Sequence, residues 1–288
     1  MKGPIIAVQE PVLQDVILNF LKKFVRKNFF VLLVQAPDGE DHISSGLLNK
    51  GFVPNFIKWI IKSSNVKVNL ELPEEHLFKQ MKRQKRQNIK NAKNAGIIIR
   101  QGSRDDLETF FELMNITCKR RGVSPNPSNL KTLEKIWDIF NQKNKIALFL
   151  AELGDKKISA LITIMMEKHI SLWKFGWSGE YSRFRPNDFL FWEILRWAKA
   201  KGFRSADLGA FGTYDIKKGL IIEARENYSE GNDVRFKTGF EGNIFKLQPG
   251  LIYFSNLIIS LLVRKILLPF ADHFTWSEKL IYKLIEII

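Results

Sequence analysis

The sequence of 288 residues is poor in the side chains that most often carry metal or redox chemistry, with one cysteine and four histidines. A single thiol, Cys118, excludes an intramolecular disulfide and fits a reducing compartment. It lies in the helical pattern FFELMNITCKRRG, where a thiol packs as a small hydrophobe rather than acting as a nucleophile. His42, His76, His169 and His273 are scattered, and no CxxC or HExxH occurs, so no metal site is expected. Also missing are a Walker loop, a G-x-G-x-x-G turn and a G-x-S-x-G elbow, since GWSG and GAFG match none of them. The chain opens without a basic start followed by an apolar block, so no signal peptide is expected. The longest strongly apolar run, LIYFSNLIISLLV at 251–263, is shorter than the ~20 residues a membrane-spanning helix needs and contains Ser255, Asn256 and Ser260.

Acidic residues are scarce as well. Thirty Asp and Glu face 45 Lys and Arg, giving a net charge of +15 and favouring an anionic partner: nucleic acid, a phosphorylated molecule or an acidic membrane surface. The length allows two domains at roughly 100–200 residues each. Strand GPIIAV (3–8), helix 11–27 and strand FFVLLVQ (29–35) open an α/β layer. A short helix near 43–51, strand VKVNLEL (66–72) and one helix over 73–95, closed by Gly96, follow.

A second unit begins at IIIR (97–100). Ser103 with Asp106 is an N-cap signature for helix 104–121, and a further helix covers about 128–142. Strands IALFLAEL (146–153), KISALITIMME (157–167) and HISLWKFGW (169–177) form a meander. Helix 187–201 is apolar nearly all round and therefore buried. SADLGAFG (205–212) and VRFKTGF (234–240) read as closing strands. The outline is an α/β (α+β) acyltransferase-like unit. The expected divisions are a first domain over 1–96, a second over 97–250 and an apolar helical tail over 251–288.

Several stretches carry candidate chemistry. In 73–95, seven Lys/Arg oppose two Glu, and Lys79, Lys82, Arg86, Lys90 and Lys93 share one helical stripe that serves as a solvated face or as a track for phosphates. Lys85 falls on the apolar stripe. Lys174 stands between Trp173 and Phe175, an arrangement that suits stacking and cation–π contact as well as a core strand. Asp207, in an apolar strand ending in glycines, suits an amine-orienting or proton-accepting carboxylate as well as a structural one. In VRFKTGFEG (234–242), strand alternation places Arg235 and Lys237 on one face and Phe236 on the other.

Taken together, KRQNIKNAKNAG with the following helix ending in Arg121-Gly122, LWKFGWS, PNDFLFWEILRWAKAKGFRSADLGAFG and RFKTGFEG resemble motifs of the Fem family of aminoacyltransferases, over roughly residues 3–247. The resemblance implies tandem GNAT-like domains, the first lacking its opening segment here, because Gly3-Pro4 corresponds to an internal strand of the family. It also implies transfer of an amino acid from aminoacyl-tRNA to an amine of a peptidoglycan precursor, lipid II or its UDP-linked forerunner. No cofactor is implied beyond aminoacyl-tRNA as co-substrate, and the setting is cytoplasmic, with possible peripheral contact at the inner face of an anionic membrane. Lys237 beside Phe236 is implied to meet the precursor's phosphates, with Arg235, Lys174 and Trp173 as further substrate contacts. Arg86, Lys82 and Lys90 would serve tRNA or a lipid headgroup, and Asp207 would act as the orienting or proton-accepting group. LWKFG in place of a tyrosine-rich strand departs from the family. The chain also lacks the [QR]-x-x-G-x-[GA] loop of acyl-CoA enzymes. An acyl-CoA-dependent N-acyltransferase and an inactive anion-binding relative remain the alternatives.

Overall fold

The computed structural model describes residues 11–28, 31–35, 41–54, 64–211, 232–246, 250–262 and 265. These form two units, one holding residues 65–210 with 232–244, the other the described residues before Asn65, Phe211 and those from Phe245 on. The expected boundary at residue 96 is not where they part. The predicted strand at 3–8 lies outside the described residues.

In the smaller unit, α1 (Pro11–Asn28), β1 (Val31–Gln35), α2 (Asp41–Asn49) and β2 (Val53–Pro54) precede the larger unit in sequence, while β10 (Gly250–Phe254) and α9 (Leu257–Leu262) follow it. β10 runs antiparallel between β1 and β2. Leu47, Phe52, Leu251 and Tyr253 form its core. The expected helical tail over 251–288 is corrected at its start, where residues 251–254 are strand, while 257–262 are helical and nearly all of the remainder lies outside the described residues. Leu251, Ile252 and Tyr253 are buried in consecutive positions, which a central strand covered on both faces accommodates.

The larger unit is built on a seven-stranded sheet ordered β4-β5-β6-β7-β8-β3-β9. Its strands are β3 (Ser64–Asn69), β4 (Ile98–Gly102), β5 (Ile146–Leu153), β6 (Lys156–Met166), β7 (His169–Trp177), β8 (Ser205–Phe211) and β9 (Asn243–Lys246). β4 to β7 are antiparallel neighbours, and β8 then lies parallel to β7, with Ser171 opposite Asp207. A parallel neighbour needs a crossover. Helix α7 (Pro186–Ala200) supplies it.

Period-2 alternation sorts β5 between two layers. Leu148 and Leu150 pack against α5 (Leu107–Arg120) and α6 (Leu130–Asn141), while Phe149 between them meets Trp197 of α7 edge-on at 5.0 Å. The sheet is therefore covered on both faces, and its central strands are continuous hydrophobic runs. The Ser103–Asp106 capping box forms as expected, on a short 3₁₀ turn leading into α5.

β7 carries a bulge. Leu172 pairs with Thr163 and Lys174 with Ile162, leaving Trp173 as the extra residue. Trp173 consequently joins the α5–α6 core, whereas Phe175 turns to Phe191 of α7. α5 lies directly on β7 at Gly176, where an added Cβ would sit 2.5 Å from the backbone nitrogen of Met114. The Thr117 hydroxyl completes that contact by accepting from the Trp177 amide at 2.7 Å.

Two further expectations are corrected. The basic segment 73–95 is two helices, α3 (Glu74–Gln80) and α4 (Arg83–Asn94), because Met81 and Lys82 are extended. Met81 is 1% exposed, and burying it breaks the helix and the single cationic stripe. Residues 234–238 belong to helix α8 (Asn232–Thr238), not a strand. Asn232-Asp233 at its start and Gly239 after it are ordinary helix boundary signals, which the alternation of charge obscured.

Gly176→Ala is expected to lower the stability of the larger unit by about 1–3 kcal/mol, because the opposing atoms are backbone and cannot rotate away. Chemical denaturation checks it; an unchanged midpoint would contradict the close α5–β7 approach.

Candidate functional site

α8 reverses the geometry that a strand would give to Arg235 and Lys237. Two residues apart on a helix is about 200° of rotation, so Arg235 is exposed while Lys237 is buried, at 8% exposure. Lys237 Nζ donates to the Gly209 carbonyl at 3.2 Å. Gly209, at the end of β8, has φ of +90°, a conformation side-chain-bearing residues rarely adopt.

The amide of the same glycine serves Asp207. The Gly209 amide donates to Asp207 Oδ1 at 2.8 Å, and Asn65 Nδ2 of β3 donates to Oδ2 at 2.9 Å. Burial pushes the Asp207 carboxyl above the usual carboxylate value, against the opposing pull of these two hydrogen bonds and of Lys67 and Lys237. Asn65 is 4% exposed, and its Oδ1 has no hydrogen-bond partner. One glycine thus brings together a desolvated carboxylate, an ammonium and a buried amide.

Beneath α8 lies a feature that sequence patterning had flagged only as an oddity. Lys85 on α4 and Asp188 in the first turn of α7 are both buried and form an ion pair at 2.5 Å. Asn88 Nδ2 donates to the second oxygen of Asp188 at 3.3 Å, and Gln84 Nε2 donates to Asn88 Oδ1 at 2.9 Å. The Lys85 ammonium sits 3.4 Å from the centroid of Phe236 and 4.6 Å from that of Phe240. Desolvation lowers its pKa to about 8, with Asp188 working in the opposite direction. Gly239 is required here, since a Cβ would fall 2.6 Å from Lys85 Cε. Phe191 packs edge-on to Phe236 at 4.9 Å and closes the aromatic wall.

The remaining sequence candidates are placed elsewhere. The Arg86 guanidinium bonds the carbonyls of Lys79 and Met81, capping the end of α3, so it is engaged in structure. Lys82 and Lys90 are exposed; the backbone amide of Lys82 bonds Gly239 at 3.0 Å, and Lys90 rims a groove of about 360 Å³ that Phe78, Ile89, Phe189 and Trp192 also line. Trp173 is in the α5–α6 core, and Lys174 Nζ lies 5.1 Å from its ring. Of the nine candidates, the fold brings Asp207 and Lys237 together at Gly209, with Phe236 beside Lys237 on α8 and over Lys85. Sequence reasoning missed Asn65, Asp188 and Asn88; an aspartate in the first turn of a helix apolar all round was the signal available for Asp188.

This architecture defines the class. Residues 79–218 match an acetyltransferase (GNAT) domain, and the fold and that domain are those of an acyltransferase. Among solved structures, FemX superposes with a TM-score of 0.66 at 15% identity, over 87% of this chain and 79% of that one. L-PGS from Bacillus licheniformis gives 0.55 at 15% identity, over 89% and 79%. The C-terminal domain of a putative lysylphosphatidylglycerol synthetase from Agrobacterium fabrum gives 0.52 at 13%, over 87% and 76%. No curated protein matches the sequence.

Removing one partner of the Lys85–Asp188 pair, as in Lys85→Met, is expected to cost roughly 3–5 kcal/mol, because a buried charge is left unpaired. Lys85→Met with Asp188→Leu is expected to recover more than half of that loss in the same denaturation experiment. Additive losses would mean that the two charges do not depend on each other.

Proposed function

We propose that the protein is an aminoacyltransferase that moves an amino acid from aminoacyl-tRNA to an amine of a peptidoglycan precursor peptide, lipid II or its UDP-linked forerunner. The observation that carries the reading is the pairing of Asp207 and Lys237 on the amide and the carbonyl of Gly209. The likeness to FemX, whose family supplies the motifs in 85–122 and 235–242, and to lysylphosphatidylglycerol synthetases supports an aminoacyl donor. An aminoacyl-tRNA donor puts the work on the cytoplasmic side, at the membrane surface where the acceptor is lipid-linked.

In this reading Asp207 accepts the proton of the attacking amine, and the amine nitrogen forms a bond to the ester carbonyl carbon. Lys237 neutralises the negative charge that develops on the carbonyl oxygen, the C–O bond to the tRNA ribose breaks, and the proton passes from Asp207 to the departing ribose oxygen. The roles follow from proximity. A precursor's phosphates and its acceptor amine are separated by a peptide, so a lysine sharing a glycine with the proton acceptor belongs at the reacting carbonyl rather than at the phosphates. Asn65 positions Asp207 through its Nδ2 hydrogen bond. Phe236 forms the apolar wall that keeps water from the ester.

An acyl-CoA donor is disfavoured by the start of α7. A helix N-terminus seats a pyrophosphate through free amides and positive potential. Here Pro186 occupies the first turn without an amide hydrogen, and the Asp188 carboxylate already sits there, paired with Lys85.

The test is transfer of labelled amino acid from a charged tRNA pool to lipid II and to UDP-linked pentapeptide, with acetyl-CoA in parallel. Label on the precursor is expected, with a loss of at least about 100-fold in kcat for Lys237→Ala. Label delivered only from acetyl-CoA would replace this reading with the acyl-CoA one.

The rate is also expected to rise with pH through a limb above the ordinary carboxylate range. The folded pKa of Asp207 is raised, so the base form fills only at higher pH. Asp207→Asn should abolish that limb along with most of the activity. A limb that survives in Asp207→Asn would assign the base to another group.

A further inference from the structure

Four arginines of the larger unit meet carboxylates among the described residues. Arg100, Arg104, Arg196 and Arg204 each pair with at least one Asp or Glu. At the turn joining β7 to α7 the pattern changes, and cations lie on aromatic rings instead. Arg120 Cζ is 4.6 Å from the ring of Trp177, Lys156 Nζ is 5.7 Å from Tyr181, and Arg183 Cζ is 4.5 Å from Phe184. None of these three cations lies within ion-pair distance of a carboxylate among the described residues, although the Tyr181 hydroxyl and, at longer range, the Glu180 carboxylate both attract Lys156. All three are exposed, and the three rings are half-buried.

The pairs form one surface. Tyr181 and Phe184 are near-parallel at 6.4 Å and 14°. Trp177 Nε1 donates to the Glu180 carbonyl at 3.2 Å, joining its ring to the same turn. Arg120 is held from the other side, its guanidinium donating to the Trp177 carbonyl at 3.3 Å and lying against Gly179. Tyr181 and Arg185, at φ of 54° and 56°, bracket the turn in the left-handed region, a costly conformation for residues with side chains. Glu180 is the acidic side chain within this turn.

We infer that the surface formed by Arg120, Lys156, Trp177, Tyr181, Arg183 and Phe184 binds the single-stranded 3′ end of an RNA. The inference rests on the aminoacyl-tRNA reading above and names where this chain holds its donor. Exposed cations next to ring faces match the two needs of an unpaired strand. Bases stack on the rings, and the cations they displace meet the phosphates alternating with them. A duplex offers no free base faces and gains only from the charges. A membrane surface is the poorer fit, because these rings are half-buried and lie against cations rather than protruding to enter lipid.

The experiment titrates the full chain against an uncharged RNA hairpin ending in a four-nucleotide 3′ ACCA overhang, with the blunt hairpin and phosphatidylglycerol vesicles in parallel, followed by fluorescence anisotropy and sedimentation. The overhang is expected to raise affinity at least tenfold over the blunt hairpin. Trp177→Ala should lower overhang binding about 5- to 100-fold, the range for loss of one stacked base. Trp177→Phe, which keeps a ring face, should retain it, and this separates stacking from folding. Lys156→Ala should reduce the slope of log affinity against log salt by about 0.7 for one lost phosphate contact on a single strand. Equal binding of wild type and both Trp177→Ala and Lys156→Ala would overturn the assignment of this surface while leaving the donor reading intact. No preference for the overhang in the wild type would overturn the inference and count against the donor reading as well. Vesicle binding lost in Trp177→Ala, with RNA binding unchanged, would make the surface a lipid contact instead.

Discussion

The buried pair of Lys85 and Asp188 is the constraint on which the arrangement of the larger unit depends. It ties α4 to the first turn of α7, and the Lys85 ammonium supports the rings of Phe236 and Phe240 on either side of Gly239. Since Lys237 follows Phe236 directly, the position of its ammonium on Gly209 is set from below by this pair. Buried ion pairs add little net stability relative to an apolar replacement, but they strongly penalise arrangements in which either charge loses its partner. Here that penalty falls on any displacement of α8 from α4 and α7.

The same pair has a chemical consequence. Helix α7 follows β7 and leads to its parallel neighbour β8. With Pro186 and Asp188 filling the start of α7, the negative charge it would attract is already supplied by the protein. Asp207 and Lys237 meet instead on β8, where Gly209, at positive φ, offers its amide to one side chain and its carbonyl to the other. Burial raises the Asp207 carboxyl above the ordinary carboxylate value, and Lys237 lies beside it on the carbonyl of Gly209.

Much of the fold was legible in the sequence because its elements are long and strongly periodic. The meander β5–β6–β7, the apolar helix α7 and the capped start of α5 fall within a residue or two of where patterning placed them. Short segments were not legible. VRFKT alternates charge like a strand and is bounded like a helix, and only packing of Phe236 against Phe191 and Lys85 decides between them. The break at Met81 was hidden because both flanking segments are good helix formers, and the buried contacts of one methionine outweigh a continuous helix.

The spacing of apolar residues by itself determined the α/β class and the order of most elements, and the excess of cations determined a chain that favours anions. Those properties are local or additive, so the linear order of residues expresses them. Which charges become buried, which lysine faces inward and which amide reaches Asp207 were decided only by the tertiary structure. Asn65 and Asp207 are 142 positions apart and Lys85 and Asp188 more than 100, and no periodicity along a chain encodes contacts of that range.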